Sequence, residues 1–168
     1  MLSFCCTKVV RNRLRLAGTL PPPVHPNTRL GNWYLHLARF GHQQILLATS
    51  ERSLLTVLLP ACNRRETIET SFRASLAELL AELQVPAEAV SREIAALPPI
   101  SYAAASNRRV IGSMNECIWQ LGTYLTHTNN SLELSMQLSK TPMSAVGSKS
   151  SYGFPDAVAR ELLTSGSN

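Results

Sequence analysis

The chain has 168 residues, of which 45% are hydrophobic and 16% charged, and it carries a net charge of +5 at pH 7. This length predicts one domain with a sizeable core, and this composition excludes a disordered chain. No apolar run approaches the ~20 residues that a membrane helix requires, so we expect no membrane partner.

The positive charge is concentrated at the start of the chain. Residues 1–65 carry nine Lys or Arg residues and one acid, for a net charge of +8, whereas residues 66–168 carry a net charge of −3. A basic segment of this kind attracts phosphates, nucleic acids and acidic protein surfaces. The alternative is a solvated basic face balanced by acidic helices.

Neither the cysteines nor the histidines show metal-site spacing, so we expect no metal and no cofactor. The absence of CxxC pairs suits reduced thiols. Cys5 or Cys6 would be a nucleophile only if a helix N-terminus lowered its pKa, with His36 or His42 as the base. A buried, inert thiol is the simpler interpretation.

The first part of the chain predicts a strand, a helix and an extended connector. Residues 2–6 form a short β-type run, and Thr7 is placed to cap the helix that follows. The prolines at 21–23 and Pro26 exclude regular structure, so residues 19–31 are predicted to form a polyproline-like connector.

Three segments rich in aromatic and β-branched residues come next, separated by turn-sized gaps. They predict a three-stranded antiparallel meander over 32–40, 42–50 and 53–60. In the first strand, alternation places Trp33 and Leu35 on one face and Tyr34 and His36 on the other.

Apolar residues at helical spacing predict three helices, over about 64–84, 86–97 and 107–126. Between the last two, ISYAAA at 100–105 is predicted to return to the sheet. Asn63 opens a capping-box pattern, and Asn107 and Ser113 are rival N-caps for the third helix.

The segment 131–140 alternates like a strand, yet Asn130 and Glu133 again form a capping box, so we predict a helix. The whole is an α+β domain over 1–147, with about four helices packed on a mainly antiparallel sheet that contains the meander. The serine-rich segment 148–168 is predicted to be a partly disordered tail with a short helix near 155–163.

Four fragments of the chain carry a resemblance to a known family: CTK at 6–8, GNWY at 31–34, NRRVIGSMN at 107–115 and TPMSA at 141–145. In this order and spacing they resemble a bacterial family of domains of unknown function, from residue 2 to about 147. The resemblance implies a bacterial cytoplasmic domain and no particular reaction. The chain departs from the pattern in its proline-rich insertion at 20–26 and in its serine-rich tail.

The helix start within the NRRVIGSMN fragment is the strongest candidate for a functional site. A helix N-terminus offers unpaired amides and a partial positive charge, and guanidinium groups add planar donors, so we expect an anion such as phosphate to bind there. The candidate anion site comprises Thr7, Lys8, Asn107, Arg108, Arg109, Ser113 and Asn115. The alternative is that Asn107 only caps the helix and that the arginines are solvated.

Trp33 and Tyr34 form a weaker candidate, a stacking platform for nucleic-acid bases near Arg29 and Arg39. Alternation along a strand lets only one of the two rings face a core, and Trp33 is the better core residue.

Two functions remain open at the level of the sequence. The first is a non-enzymatic binding module for an anionic partner, either a nucleic acid or an acidic protein surface. The second is a small enzyme acting on a phosphate-containing substrate, which requires Thr7, Lys8 and 107–115 to converge in one concave pocket. The sequence leaves the enzymatic status and the oligomeric state open.

Overall fold

The computed structural model describes residues 1–143 and 153–165, which form a five-stranded sheet with helices on both faces. The strands are β1 (Leu2–Cys6), β2 (Trp33–Phe40), β3 (Gln43–Ser50), β4 (Thr56–Pro60) and β5 (Ile100–Ala104). The helices are α1 (Lys8–Arg13), α2 (Arg65–Glu82), α3 (Ala87–Ala96), α4 (Arg108–Tyr124), α5 (Ser131–Ser139) and α6 (Pro155–Thr164). The predicted α+β class is confirmed, with six helices in the described ranges rather than about four.

The sheet is mixed and has the strand order β4-β3-β2-β1-β5. The antiparallel meander of β2, β3 and β4 is confirmed, and Trp33 lies opposite Ser50 in it. β1 runs parallel to both of its neighbours, with Cys6 aligned to Leu35 on one side and Ala104 on the other. Parallel pairing is possible here because long crossover segments separate β1 from β2 and β4 from β5.

Each face of the sheet has its own core. On the first face, Phe4 and Trp33 pack on Phe72 of α2, with ring centroids 5.1 and 4.8 Å from the Phe72 ring, and α1, α3 and α6 contribute to the same cluster. On the second face, Cys5 and Tyr34 pack beneath α4 and one side of α5. The predicted alternation along β2 is confirmed, and both of its faces are buried because helices cover the sheet on both sides.

The predicted helix caps are confirmed at two of the helices. Asn107 and Asn130 each accept hydrogen bonds from backbone amides in the first turn of α4 and α5. The capping box predicted at Asn63 is wrong, because α2 begins after Arg64, whose side chain makes no capping bond. Ser113, the rival cap, lies inside α4.

The proline-rich connector has no regular structure, as predicted, and it is hydrogen-bonded to β1. The Val24 amide donates to Ser3 Oγ at 2.9 Å. The Asn32 side chain joins both segments, since its Oδ1 accepts from the Ser3 amide at 2.7 Å and its Nδ2 donates to Val24 O at 3.0 Å. Hydrogen bonds to β1 therefore hold the connector in place, although the connector does not pair with the sheet as a strand.

The helix predicted near 155–163 is confirmed as α6, and its Ala159 and Leu163 join the core of the first face. The rest of the predicted tail, 148–152 and 166–168, lies outside the described residues. None of the helices in the described ranges combines the length and the apolar character needed to span a membrane.

Candidate functional site

The candidate anion residues lie where the parallel strands β1 and β5 end. The two strands end side by side, and the Ala105 amide donates to Cys6 O at 3.0 Å. Thr7 continues beyond β1, and its amide donates to Leu35 O of β2 at 3.1 Å. Because β1 and β5 run in the same direction, the starts of α1 and α4 come to one edge of the sheet, which we call the carboxyl edge.

From the carboxyl edge, α1 and α4 leave toward opposite faces of the sheet. Val10 of α1 belongs to the first-face core, together with Phe4. Val110 and Met114 of α4 belong to the second-face core, together with Cys5. Where helices from neighbouring strands diverge in this way, an open sheet has a crevice beyond the strand ends, and ligands bind in such crevices.

Thr7 and His36 form a hydrogen-bonded pair at this edge. Thr7 Oγ1 lies 3.1 Å from His36 Nδ1, and the Thr7 hydroxyl makes no capping bond to α1. Burial lowers the pKa of His36, which favours the neutral imidazole. Lys8, the next residue, is exposed. The hydroxyl predicted to bind an anion is therefore already held by an imidazole.

Asn107 occupies two of the amide donors at the start of α4. Its Oδ1 accepts from the Arg109 amide at 3.0 Å and from the Val110 amide at 3.5 Å. Arg108 and Arg109 have exposed side chains. An anion at this helix start would consequently contact the guanidinium groups and be attracted by the helix dipole. It would find fewer free backbone amides than at the start of an uncapped helix.

The later residues of the NRRVIGSMN fragment diverge from the edge. Ser113 is buried, and its hydroxyl donates to Arg109 O at 3.1 Å, so it contributes to the helix interior. Asn115 is exposed, two turns into α4. Thr7, Lys8 and the start of α4 thus follow neighbouring strands at the carboxyl edge, whereas Asn115 lies further along α4 and Ser113 is buried.

Further basic residues reach the carboxyl edge from other segments. Arg13 ties α1 to the ends of two strands, donating to Cys62 O at 3.1 Å and to Gln44 Oε1 at 2.8 Å. The Arg65 guanidinium carbon lies 5.5 Å from the centroid of the Tyr102 ring in β5. The basic edge, as we call this set, comprises Lys8, Arg11, Arg13, Arg39, Arg64, Arg65, Arg108 and Arg109.

The uneven distribution of charge along the sequence does not predict which residues form the basic edge. The +8 balance of residues 1–65 includes Arg29 and Arg52, which lie elsewhere, and it omits the two arginines of α4. Glu66 and Glu69, in the first two turns of α2, reduce the local charge. Half of the 16 Lys and Arg residues of the chain still belong to the basic edge.

A protein-family model described as a domain of unknown function, DUF6933, matches residues 3–158 of the chain. The chain belongs to the DUF6933 family. The resemblance carried by the four sequence fragments is thereby confirmed. We found no matching curated protein and no matching solved structure.

Several residues of those fragments have structural roles in this DUF6933 chain. Asn32 of the GNWY fragment fixes the connector to β1 through Ser3. Met143 of the TPMSA fragment pairs with Gly153 through two backbone hydrogen bonds of 2.8 and 3.1 Å, and residues 144–145 lie outside the described ranges. The exposed members of the fragments, by contrast, lie on the basic edge or on the outer side of α4, apart from Pro142, which follows α5.

Trp119 is a candidate that the sequence analysis missed. Its side chain is 78% exposed, on the solvent side of α4. Asn115 and Trp119 come 7 and 11 residues after Arg108, and at 3.6 residues per turn these spacings place all three residues on the same side of α4. The signal was present in the sequence, since the buried stripe of α4 excludes position 119 and a large aromatic residue on a polar helix face is unusual.

Other sequence candidates do not fit the geometry of this DUF6933 chain. Trp33 and Tyr34 are 0% and 2% exposed, so neither ring is open to a base and the stacking role assigned to them is corrected. Burial raises the pKa of Cys5 and of Cys6 to about 12, which keeps both thiols protonated and unreactive near neutral pH. Within 1–143 and 153–165, no group of three His, Cys, Asp or Glu side chains is placed to hold a metal ion.

Proposed function

We propose that this DUF6933 protein is a non-enzymatic binding module of the bacterial cytoplasm whose anionic partner is a nucleic acid bound along the basic edge. The observation that carries the proposal is the basic edge itself, which collects eight Lys and Arg residues from four separate segments. Seven of the eight are arginines, whose planar fork of donors suits phosphate oxygens.

Trp119 favours a nucleic acid over an acidic protein surface. It shares the solvent side of α4 with Arg108, about 16 Å away along the helix axis at 1.5 Å per residue. An exposed indole stacks on an unpaired base while arginines nearby contact the backbone phosphates. An acidic protein surface would use the same arginines without needing the ring. Loss of Trp119 should therefore weaken the binding of a nucleic acid and leave the binding of an acidic protein unchanged.

The first experiment measures how binding of a labelled single-stranded RNA depends on salt, between about 50 and 200 mM. Replacing Arg108 and Arg109 by alanine removes two phosphate contacts, so the slope of log affinity against log salt should decrease by about 1.4. The control variant, Arg73→Ala plus Lys140→Ala, removes the same charge from the middle of α2 and the end of α5. If the two double variants decrease the slope equally, a localised RNA-binding site is excluded.

The second experiment separates the partner classes. Stacking of one base is worth about 1–3 kcal/mol, so Trp119→Ala should weaken RNA binding by roughly 5- to 150-fold. Binding of polyglutamate, a mimic of an acidic protein surface, should be unaffected. If polyglutamate binds as tightly as RNA and Trp119→Ala changes neither, the partner is an acidic protein; if nothing binds at low salt, the anionic-partner function is wrong.

A second candidate function is a small enzyme acting on a phosphate-containing substrate. It is favoured by the Thr7–His36 pair, in which a hydroxyl faces a neutral imidazole beside an exposed ammonium. The test is turnover of p-nitrophenyl phosphate mono- and diesters by the intact chain. Turnover that disappears in His36→Gln supports the enzyme, whereas turnover that survives this change excludes His36 as the base.

A further inference from the structure

The two outermost strands of the sheet have different surroundings. β4 forms one side of the sheet, and α5 lies against it, since the Leu58 amide donates to Ser135 Oγ at 3.1 Å. β5 forms the other side, and within residues 1–143 and 153–165 no strand pairs with the outer side of β5. The described sheet can therefore be extended by a further strand at β5.

The register between β5 and β1 shows which backbone groups of β5 face outward. At the two ends of the pairing, Pro99 O accepts from a β1 amide at 3.2 Å and the Ala105 amide donates to a β1 carbonyl at 3.0 Å. Because backbone groups alternate along a strand, those of Ser101 and Ala103 also face β1. The backbone groups of the alternate residues face away from β1: Ile100, Tyr102 and Ala104. Within the described ranges, nothing accepts from these three amides or donates to these three carbonyls.

The sequence of β5 lacks the features that prevent an edge strand from pairing. The strand reads ISYAA and contains no charged residue and no proline, the two residue types that natural edge strands use against association. Ile100 and Tyr102 are partly buried and pack against the first-face core. A strand added to β5 would consequently form backbone hydrogen bonds and bury more apolar surface.

β5 is complementary to a second copy of itself. A two-fold axis at Tyr102 sets two β5 strands antiparallel, with Tyr102 opposite its own copy and Ile100 opposite Ala104 of the second copy. In this register the three outward residues of each copy donate once and accept once, which gives six backbone hydrogen bonds. A large side chain lies opposite a small one in each outer pair, so the two copies pack without a clash.

The charges beside β5 follow the same two-fold symmetry. The Arg65 guanidinium carbon lies 5.5 Å from the centroid of the Tyr102 ring, and Glu69 accepts from the Tyr102 hydroxyl at 2.8 Å. Each copy therefore carries a cation and an anion beside its central tyrosine. Two-fold rotation reverses their order, so that opposite charges rather than like charges meet across the axis. This match favours a second copy over an extended peptide of unrelated sequence.

We propose that two copies of this chain associate through β5, which joins their five-stranded sheets into one continuous sheet. Because the two β5 strands run antiparallel, the two carboxyl edges lie at opposite ends of the paired strands. The dimer thus presents two separate basic edges. The association does not depend on whether the basic edge binds a nucleic acid.

The first test is sedimentation velocity of the full chain without RNA, from about 1 μM to 1 mM, the range of weak to moderate association. The parent chain should change from monomer to dimer within this range. Ala104→Pro removes one outward amide from each copy and no hydrogen bond to β1. The Kd of the dimer should therefore rise by about 30-fold, the effect of losing two hydrogen bonds.

A second variant tests the same strand if the proline variant fails to fold. Ala104→Lys keeps the backbone amide and places a charge on the edge strand, so it should also weaken the dimer. The matched control Ala74→Lys adds the same charge on the exposed side of α2 and should leave the Kd unchanged. A dimer that both substitutions at Ala104 leave intact uses another surface, and the proposal is then wrong.

Amide hydrogen exchange identifies the strand that pairs. The Tyr102 amide should exchange slowly in concentrated protein and fast in dilute protein, whereas the Ser101 and Ala103 amides, which face β1, should be protected in both. A chain that stays monomeric with fast exchange at Tyr102 overturns the proposal and leaves this strand to a peptide of another protein. Slow exchange at Tyr102 at every concentration overturns it too, because another segment of the same chain then covers β5.

Discussion

Replacing Asn107 by alanine distinguishes helix capping from anion binding in the segment that opens α4. Asn107 Oδ1 accepts from the Arg109 amide at 3.0 Å and, more weakly, from the Val110 amide at 3.5 Å. Loss of one good capping bond lowers the free energy of unfolding by about 1 kcal/mol. For a domain of this size, that change corresponds to a melting temperature lower by about 2–4 °C.

The chain offers a matched control for this substitution. Asn63 has the same sequence pattern, with Glu66 three residues later, but α2 begins after Arg64 and no side-chain cap is formed. Asn63→Ala should therefore change the free energy of unfolding by no more than about 0.5 kcal/mol. Urea unfolding followed by circular dichroism measures both variants under the same conditions.

RNA affinity provides the second half of the assay. Asn107→Ala should keep the affinity within about twofold, because the guanidinium groups of Arg108 and Arg109 remain and a change that small is below 0.5 kcal/mol. Asn107→Asp should keep the stability, since aspartate is an equally good cap, and should lower the RNA affinity by adding a negative charge. Equal destabilisation by Asn107→Ala and Asn63→Ala would refute the capping argument.

Three further predictions concern the core and its buried groups. Phe72→Ala, which removes a ring packed on Phe4 and Trp33, should cost about 3–5 kcal/mol in urea unfolding. Burial raises the pKa of Glu93 above its ordinary 4.5, so the folded chain binds this proton more tightly than the unfolded chain does, and stability should fall as the pH rises from 4.5 through the raised pKa. Glu93→Gln should remove that pH dependence in urea titrations and, by leaving one backbone amide without an acceptor, cost about 1–3 kcal/mol at pH 7. Iodoacetamide at pH 8 should modify half-buried Cys62 first, as peptide mass spectrometry would detect, because Cys5, Cys6 and Cys117 are buried; early modification of those three would contradict the packing.

Local patterns in the sequence predicted the elements that depend on local interactions. The alternation of β2 and the apolar stripes of α2 and α4 give those elements correctly, because they reflect which side of each element is buried. The parallel alignment of β1 had no such signal. It depends on pairing between residues as far apart as Ser3 and Ser101, and nothing in the periodicity of either segment specifies the partner.

The candidate site was predictable only in part, for the same reason. That Thr7 and Arg108 lie at one edge follows from the pairing of β1 with β5, which the sequence did not reveal. The burial of both Trp33 and Tyr34 follows from helices on both faces of the sheet, whereas alternation alone suggested one exposed ring. The exposure of Trp119, in contrast, was predictable from the sequence, because the apolar periodicity of α4 leaves position 119 on the solvent side of the helix.

The position of β1 has a consequence for synthesis on the ribosome. β1 lies between β2 and β5, and Ser3 and Ser101 are separated by 98 positions in the chain. At a synthesis rate of about 5–20 residues per second, about 5–20 s pass between the synthesis of β1 and that of β5. During that interval the meander and α2 are able to assemble, while one side of β1 still lacks its strand. A chaperone that binds nascent strands would therefore have the longest time to bind at β1. A ribosome that pauses before residue 100 would extend that time.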